Sequence, residues 1–431
     1  RSIRSVSGME NPATPREKSC TCLMNTPRRT GRERFDMSQA TDSQAGYPPM
    51  TWVEINLKAL ACNYRELRRV TSSRADIMAV VKADGYGHGA VRVARTALKC
   101  GAKFLAVARL DEAICLRKAG IAAPILLFGY SLPTYAAYMI ENDIRASINS
   151  VTSARQLSEK ALSIGKPLKV HIKIDTGMGR LGILSDALIM DAAEGPIRSG
   201  TVHDVLRIAS MPHIEVEGIY THFADADAKE KTNARRQFAL FMELLETLKK
   251  AGFRVRFRHA ANSAATIEMP ETHLDLVRPG ISLYGLWPSN AVDKNLINIK
   301  PVMTLKSRVI QVKQVRSGFA VSYGSTYRTP RPTRIATVAI GYADGLNRAL
   351  SSRGHMLVKG VRAPIIGRVC MDLTLIDVGH IPGVALEDEV VILGRQRNES
   401  VTADEIAGLL GTINYEIVSS LTSRVARIYI E

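Results

Sequence analysis

Residues 79–90 read AVVKADGYGHGA, and two folds compete for them. An apolar, β-branched run ends in Lys82, three glycines follow at alternate positions (Gly85, Gly87, Gly89), and a helix-like pattern starts at Ala90. Gly85, Gly87 and Ala90 fit the G-x-G-x-x-G/A spacing of a doubly wound dinucleotide sheet. Asp84 argues against that fold, because a carboxylate at the loop entrance repels a pyrophosphate. Lys82 has no part in such a site, and the G-K-[ST] ending of a phosphate-binding P-loop is missing. In a closed parallel barrel, by contrast, Lys82 stands at the C-terminal mouth, where barrel enzymes keep their active sites.

The number of strands decides between them. Outward from Lys82, short apolar runs occur at 77–81, 104–108, 124–128, 145–148, 168–174, 214–220, 255–260 and 274–277. Amphipathic stretches such as 90–99, 111–119 and 233–250 lie between them. Eight strands, most followed by a helix, predict a (β/α)8 TIM-like barrel over residues 47–299. After about Lys300 the texture changes to strand-like runs at 302–315, 335–340, 355–359, 363–378, 389–393 and 424–430 with Gly-rich turns. One helix, opened by a Thr402-x-x-Glu405 capping box, interrupts them. Residues 300–431 are therefore expected to form a C-terminal mostly-β domain.

Side chains alternate across a strand, which sorts the inward residues. Met78, Val80 and Lys82 share a face, as do His171, Lys173 and Asp175. So do Val216, Gly218, Tyr220 and His222, and likewise Leu274, Leu276, Arg278 and Gly280. Each polar residue alone has a plain structural account: a strand-end lysine snorkels, a core histidine is hydrogen-bonded, an arginine is ion-paired. Four such groups from four strands converging on one barrel mouth point to a site, since buried charge is costly unless paired or used.

Composition bounds the rest. The 431 residues carry a formal net charge of +17, but basic and acidic residues are interspersed and no nucleic-acid-binding signature occurs. Nucleic acid is therefore not expected as a partner, and the charge helps draw in anions. No apolar run is long enough to span a membrane. Six scattered cysteines lack zinc or disulfide spacing, which fits a reducing cytoplasm. Residues 1–46 are rich in Arg, Ser, Thr and Pro; a disordered extension or an over-long start is expected, with Met9, Met24 and Met37 as possible starts. The segment has no apolar core of a secretory signal.

An amine at a barrel mouth suggests Schiff-base chemistry. Lys173, Arg180 and Arg278 supply neighbouring cations that would ease its deprotonation. The matching carbonyl cofactor with a phosphate tail is pyridoxal 5'-phosphate. Ser263 in HAANSAA and the amides of Gly280 and Ile281 in VRPGISLYG offer donors for the phosphate.

These segments together resemble the alanine racemase family. AVVKADGYGHG, HIKIDTGMGRLG, GIYTHFADAD, RHAANSAA, DLVRPGISLYG, AVSYGSTY, IGYADG and GRVCMDLT match family segments in order, over roughly residues 51–431. The resemblance implies a pyridoxal-phosphate isomerase that interconverts L- and D-alanine with two bases, supplying D-alanine for peptidoglycan. Lys82 would hold the cofactor and serve one face of the substrate, and Tyr323, from the partner subunit of a homodimer, the other. Arg278 would face the pyridine nitrogen, with His222 linking it to Tyr323. Tyr86, Asn262, Ser263, Gly280, Ile281 and Tyr429 would complete the cofactor site. Arg180, Tyr342 and Met371 would hold the substrate carboxylate. Lys173 matches a position that can be a carbamylated lysine; the alternative is an ordinary lysine paired with Asp175. No metal is implied. Racemases for other amino acids, barrel-only cofactor-binding proteins and decarboxylases of similar architecture are the rival readings. The β-domain tyrosines and Arg278 weigh against the last two.

Overall fold

The computed structural model describes residues 47–188 and 200–431. Residues 1–46, expected as an extension or over-long start, lie outside the described residues. The chain opens with strand β1 (Trp52–Asn56) and turns at once into the helix Leu57–Val70. Asn56 makes that turn sharp: its side-chain oxygen accepts the Ala59 N–H at 2.8 Å, a cap worth about 1 kcal/mol.

Eight parallel strands follow: β2 (Asp76–Val80), β3 (Phe104–Val107), β4 (Ile125–Leu127), β5 (Ile144–Ile148), β6 (Leu168–Asp175), β8 (Ile214–Tyr220), β9 (Phe257–His259) and β10 (Leu276–Val277). The two-residue β7 (Ile183–Leu184) lies beside β6. Neighbours in sequence are neighbours in the sheet, and β10 pairs with β2. The Asp275 N–H bonds the Arg258 carbonyl at 3.0 Å and the Arg278 N–H bonds that of Ala261 at 2.9 Å, so β10 also meets the β9 side and the barrel closes. All eight expected strands are present. β3, β4 and β5 are buried throughout, as strands covered on both faces must be.

Alternation misplaces one residue. The β6–β8 register shifts between Val170 and His171, leaving Glu217 without an opposite partner. Gly218 and Tyr220 stay level with His171 and Lys173, while Val216 falls on the other face. The bulge has a cause: Glu217 turns in to pair with buried Arg145 at 2.8 Å.

The second sheet is built on the 13-residue β11 (Met303–Val315). The short β12 (Ala320–Val321) and β13 (Tyr327–Arg328) form a separate hairpin. β14 (Thr333–Val338), β15 (His355–Val358), β16 (Val361–Pro364), β17 (Thr374–Asp377), β18 (Glu389–Gln396), β19 (Glu399–Val401) and β20 (Ala426–Ile430) complete it. β1 sits inside this sheet, antiparallel to β11 and parallel to β20. The first strand thus joins the sheet expected from residues 300–431 alone. The run expected over 363–378 divides into β16 and β17, separated by a loop that carries Met371. Thr402 caps the helix Ala403–Leu410 as expected, but the Glu405 carboxylate binds Arg362 (2.6 and 3.0 Å). A second helix, Asn414–Ser419, packs on the turn after Lys82. No helix among the described residues is long and apolar enough to cross a membrane.

Candidate active site

A cavity of about 560 Å³ opens at the C-terminal ends of the barrel strands, within the range of small-molecule sites. Lys82, Tyr86, Lys173, Arg180, His222, Asn262, Ser263, Arg278, Gly280 and Ile281 all line it. Ten residues expected from five separate segments therefore meet at one place.

The turn that delivers Lys82 is left-handed. Ala83, Asp84, Gly85, Tyr86 and Gly87 have φ of 52°, 51°, 61°, 53° and 80°, a region that costs a non-glycine residue roughly 1–2 kcal/mol. Internal bonds from the Gly85 N–H to the Val81 carbonyl and from the Gly87 N–H to that of Ala83, both 2.9 Å, hold it. The Asp84 carboxylate is not part of the cavity wall and accepts the Ala90 N–H at 2.9 Å at the start of the next helix.

Lys82 is half-buried, and burial together with Arg180 lowers the pKa of its ammonium, against a smaller pull from Glu112. Lys173 is buried at 4% exposure. Burial, then Arg180 and Arg278, bring its pKa down from 10.5 to about 8. It does not pair with Asp175: that carboxylate accepts the N–H groups of Gly177, Met178 and Gly179 at 2.8–3.1 Å.

Arg278 is buried and, among the described residues, has no carboxylate partner. Its Nη1 donates to His259 Nδ1 at 2.8 Å, and its Nη2 to the carbonyls of Thr221 (2.8 Å) and Ala260 (2.9 Å) and to His222 Nδ1 (3.2 Å). A guanidinium only donates, so both histidines present a bare Nδ1 and carry the proton on Nε2. His259 Nε2–H then donates to His171 Nδ1 at 2.8 Å. Burial first, and Arg278 next, hold His222 and His259 far below the usual histidine range, so both are neutral. Tyr220 stacks on His259, ring centroids 4.6 Å apart, and its hydroxyl meets Ser147 at 2.8 Å.

The opposite wall has the form of an anion cradle. Ser263 Oγ accepts the Gly280 N–H at 2.9 Å, and Asn262 caps the short helix Ser263–Glu268. A Cβ on Gly280 would come within 2.4 Å of the Tyr86 hydroxyl; the missing side chain is the space in which that hydroxyl stands. Among the described residues no protein group hydrogen-bonds the Tyr86 hydroxyl, and it faces the cavity.

Four expected residues are elsewhere. Tyr429 lies against Gly89 and Arg92, outside the cavity. Tyr415 of the helix Asn414–Ser419 takes the wall position, its ring centroid 6.2 Å from that of Tyr86. Tyr323, Tyr342 and Met371 are 72%, 40% and 53% exposed on the β-domain and do not line this cavity. They share one patch: the Tyr342 N–H bonds the Cys370 carbonyl at 3.0 Å, and Ser322, next to Tyr323, meets Cys370 at 3.4 Å. Two groups of the site carry no motif of their own in the sequence reading. Alternation over Phe257–His259 marks His259, which lies buried behind Arg278; Tyr415, which lines the cavity from a short C-terminal helix, carries no comparable signal.

Residues 55–288 match the family model described as alanine racemase, N-terminal domain, and residues 302–429 the alanine racemase, C-terminal domain. The chain is 50% identical to the alanine racemase of Desulfosudis oleivorans over 378 residues, 88% of this chain and 96% of that one. It is 48% identical to that of Desulforamulus reducens over 379 residues, 88% and 98% of the two chains. Among solved structures, alanine racemase from Clostridium difficile 630 superposes with a TM-score of 0.82 at 37% identity, covering 89% of this chain and 97% of that one. Alanine racemase from Bacillus anthracis with bound L-Ala-P gives a TM-score of 0.82 at 40% identity, covering 90% and 96%. The cavity thus lies in a fold and sequence shared with these enzymes over 88–90% of this chain: the chain belongs to the alanine racemase family.

Proposed function

We propose that the chain interconverts L- and D-alanine on pyridoxal 5'-phosphate, removing the Cα proton on one face and returning it on the other, with the D-alanine formed serving the cell wall. The observation that carries this reading is the meeting of the Lys82 amine with the Tyr86–Ser263–Gly280 cradle in one cavity. The residues suit the cofactor. The unbonded Tyr86 hydroxyl and the space left by Gly280 fit a phosphate, and Arg180 and Arg278 favour an anion. Pyridoxal phosphate, when bound, supplies a carbonyl for the lysine and an electron sink that acidifies the substrate Cα–H.

The chain's own groups do the rest. Lys82, with its ammonium pKa lowered, serves as acid and base on one face. Arg278 would face the ring nitrogen and donate to it while keeping its own proton, and neutral His222 accepts from Arg278 and helps fix its direction. Tyr86, Ser263, Gly280, Ile281 and Tyr415 would hold the phosphate, and Asn262 orders that wall by capping the helix Ser263–Glu268. The second base is Tyr323. It is exposed on its own chain beside Tyr342 and Met371, which supports a homodimer in which this patch covers the partner subunit's cavity. Arg180 with the partner's Tyr342 and the partner's Met371 then grips the substrate carboxylate. Lys173, as a carbamate, would give Arg180 an anionic neighbour.

A D/L exchange assay with alanine, serine, lysine and arginine tests the reading. Alanine is expected to dominate, and Lys82→Ala to lose turnover. Full activity in Lys82→Ala would overturn it.

A further inference from the structure

The left-handed turn after Lys82 takes one of its amide partners from another element. Gly85 and Gly87 bond back four residues, to Val81 and Ala83, whereas the Ala83 N–H is turned out of the loop. It donates instead to Glu112 Oε1, on the helix Leu110–Lys118 that follows β3. The other oxygen, Oε2, accepts the N–H groups of Ala108 (2.8 Å) and Arg109 (2.9 Å). The bond to Arg109 is ordinary capping, in which a glutamate in the first helical turn reaches back to the residue before the helix. The bond to Ala83 is different: it crosses to the neighbouring strand's loop and ends one residue from Lys82. Among the described residues the carboxylate's hydrogen bonds go to backbone amides, so both loops are tied to a single group.

We propose that Glu112 is a positioning residue: it fastens the left-handed turn and so sets where the Lys82 amine stands in the cavity. The proposal rests on the reading of Lys82 as the cofactor-bearing amine. The groups that face that amine are Arg180 and Lys173 from the β6 side, His222 after β8, the Tyr86 ring at 5.9 Å, and Glu112. Burial and Arg180 push the ammonium towards losing its proton, and Glu112 is the carboxylate that opposes them. Removing its charge therefore lowers the point at which Lys82 titrates, whereas loss of a mere helix cap leaves that point alone.

The test uses the full chain. In cofactor-free protein, competitive acetylation across pH, read on the Lys82 peptide by mass spectrometry, reports the amine's titration. Glu112→Gln removes the charge and keeps one acceptor; Glu112→Ala removes both; Glu112→Asp keeps the charge. The midpoint is expected to fall by about half to one pH unit in the first two and to stay near wild type in the third. Attachment of pyridoxal phosphate to Lys82, trapped with borohydride, is expected to slow about tenfold or more in Glu112→Ala, as misplaced reacting groups do. With cofactor loaded, kcat should fall while KM for alanine changes little. A lowered thermal midpoint with unchanged titration and attachment in Glu112→Gln would overturn the proposal, and this variant decides the matter alone if Glu112→Ala does not fold. Lys82→Ala separates the two claims. Undiminished trapping of cofactor there overturns the role of Lys82, whereas wild-type behaviour in Glu112→Gln overturns only that of Glu112.

Discussion

Lys173 is buried in the barrel with two arginines for neighbours, and among the described residues it forms no ion pair, so burial and the arginines outweigh the smaller pull of Asp175 and make its proton expensive to keep. Its pKa is about 8 in the folded chain against 10.5 ordinarily. Between those values the unfolded chain holds a proton that the folded chain has released, so stability rises with pH across that window. In cofactor-free, carbonate-free buffer, urea unfolding should show the wild type gaining on the order of 2–3 kcal/mol relative to Lys173→Met between pH 7.5 and 10.5. Parallel pH profiles for the two proteins would show that burial does not disfavour this ammonium. A neutral amine is also the form that reacts with carbon dioxide, so the same surroundings that lower the pKa support the carbamate. The inward direction of Lys82, Lys173 and Arg278 was legible in the sequence because strand alternation fixes it. The partners were not: Asp175 was spent on three loop amides and Arg278 on two histidines and two carbonyls, choices set only by the packed barrel.

The turn from Ala83 to Gly87 joins two elements that lie far apart in sequence. A Cβ on Gly87 would fall 2.2 Å from the Val418 carbonyl, in the helix that brings Tyr415 to the cavity. Gly87 is also at φ 80°, so a side chain there meets both strain and backbone. Gly87→Ala is expected to cost more than about 2 kcal/mol in chemical unfolding and to weaken cofactor binding by moving Tyr415 away from Tyr86. A variant of wild-type stability and cofactor affinity would mean that this contact is slack. Eight barrel strands could be read from alternating apolar runs, because burial on both faces leaves that mark. The handedness of the turn could not, since Ala83, Asp84 and Tyr86 have no preference for positive φ and are held there by Glu112, Asp84's own cap and the C-terminal helix. β1 escaped for a related reason. Only Val53 and Ile55 of WVEIN mark its buried face, and its two partners lie some 250 and 370 residues away.

At the scale of the whole molecule, the proposed machinery is divided between two surfaces. The cavity holds Lys82, Arg180 and Arg278, while Tyr323, Tyr342 and Met371 stand exposed together on the β-domain. If each cavity is completed by the partner's patch, lesions on the two surfaces must complement each other. Lys82→Ala and Tyr323→Phe are each expected to be inactive in exchange as homodimers. In a mixed dimer, one cavity carries both lesions, and the other joins an intact Lys82 to an intact Tyr323 from the partner. Random mixing makes half of the dimers mixed, each with one good site of two, so equal amounts should recover about a quarter of wild-type specific activity. The mixture is made by unfolding and refolding the two variants together, and a covalent crosslink between subunits before mixing should abolish the recovery. Recovery depends on Tyr323 reaching a cavity other than its own. A mixture that stays as inactive as its components, while sedimenting as dimer, would place both bases in one chain and overturn the shared site.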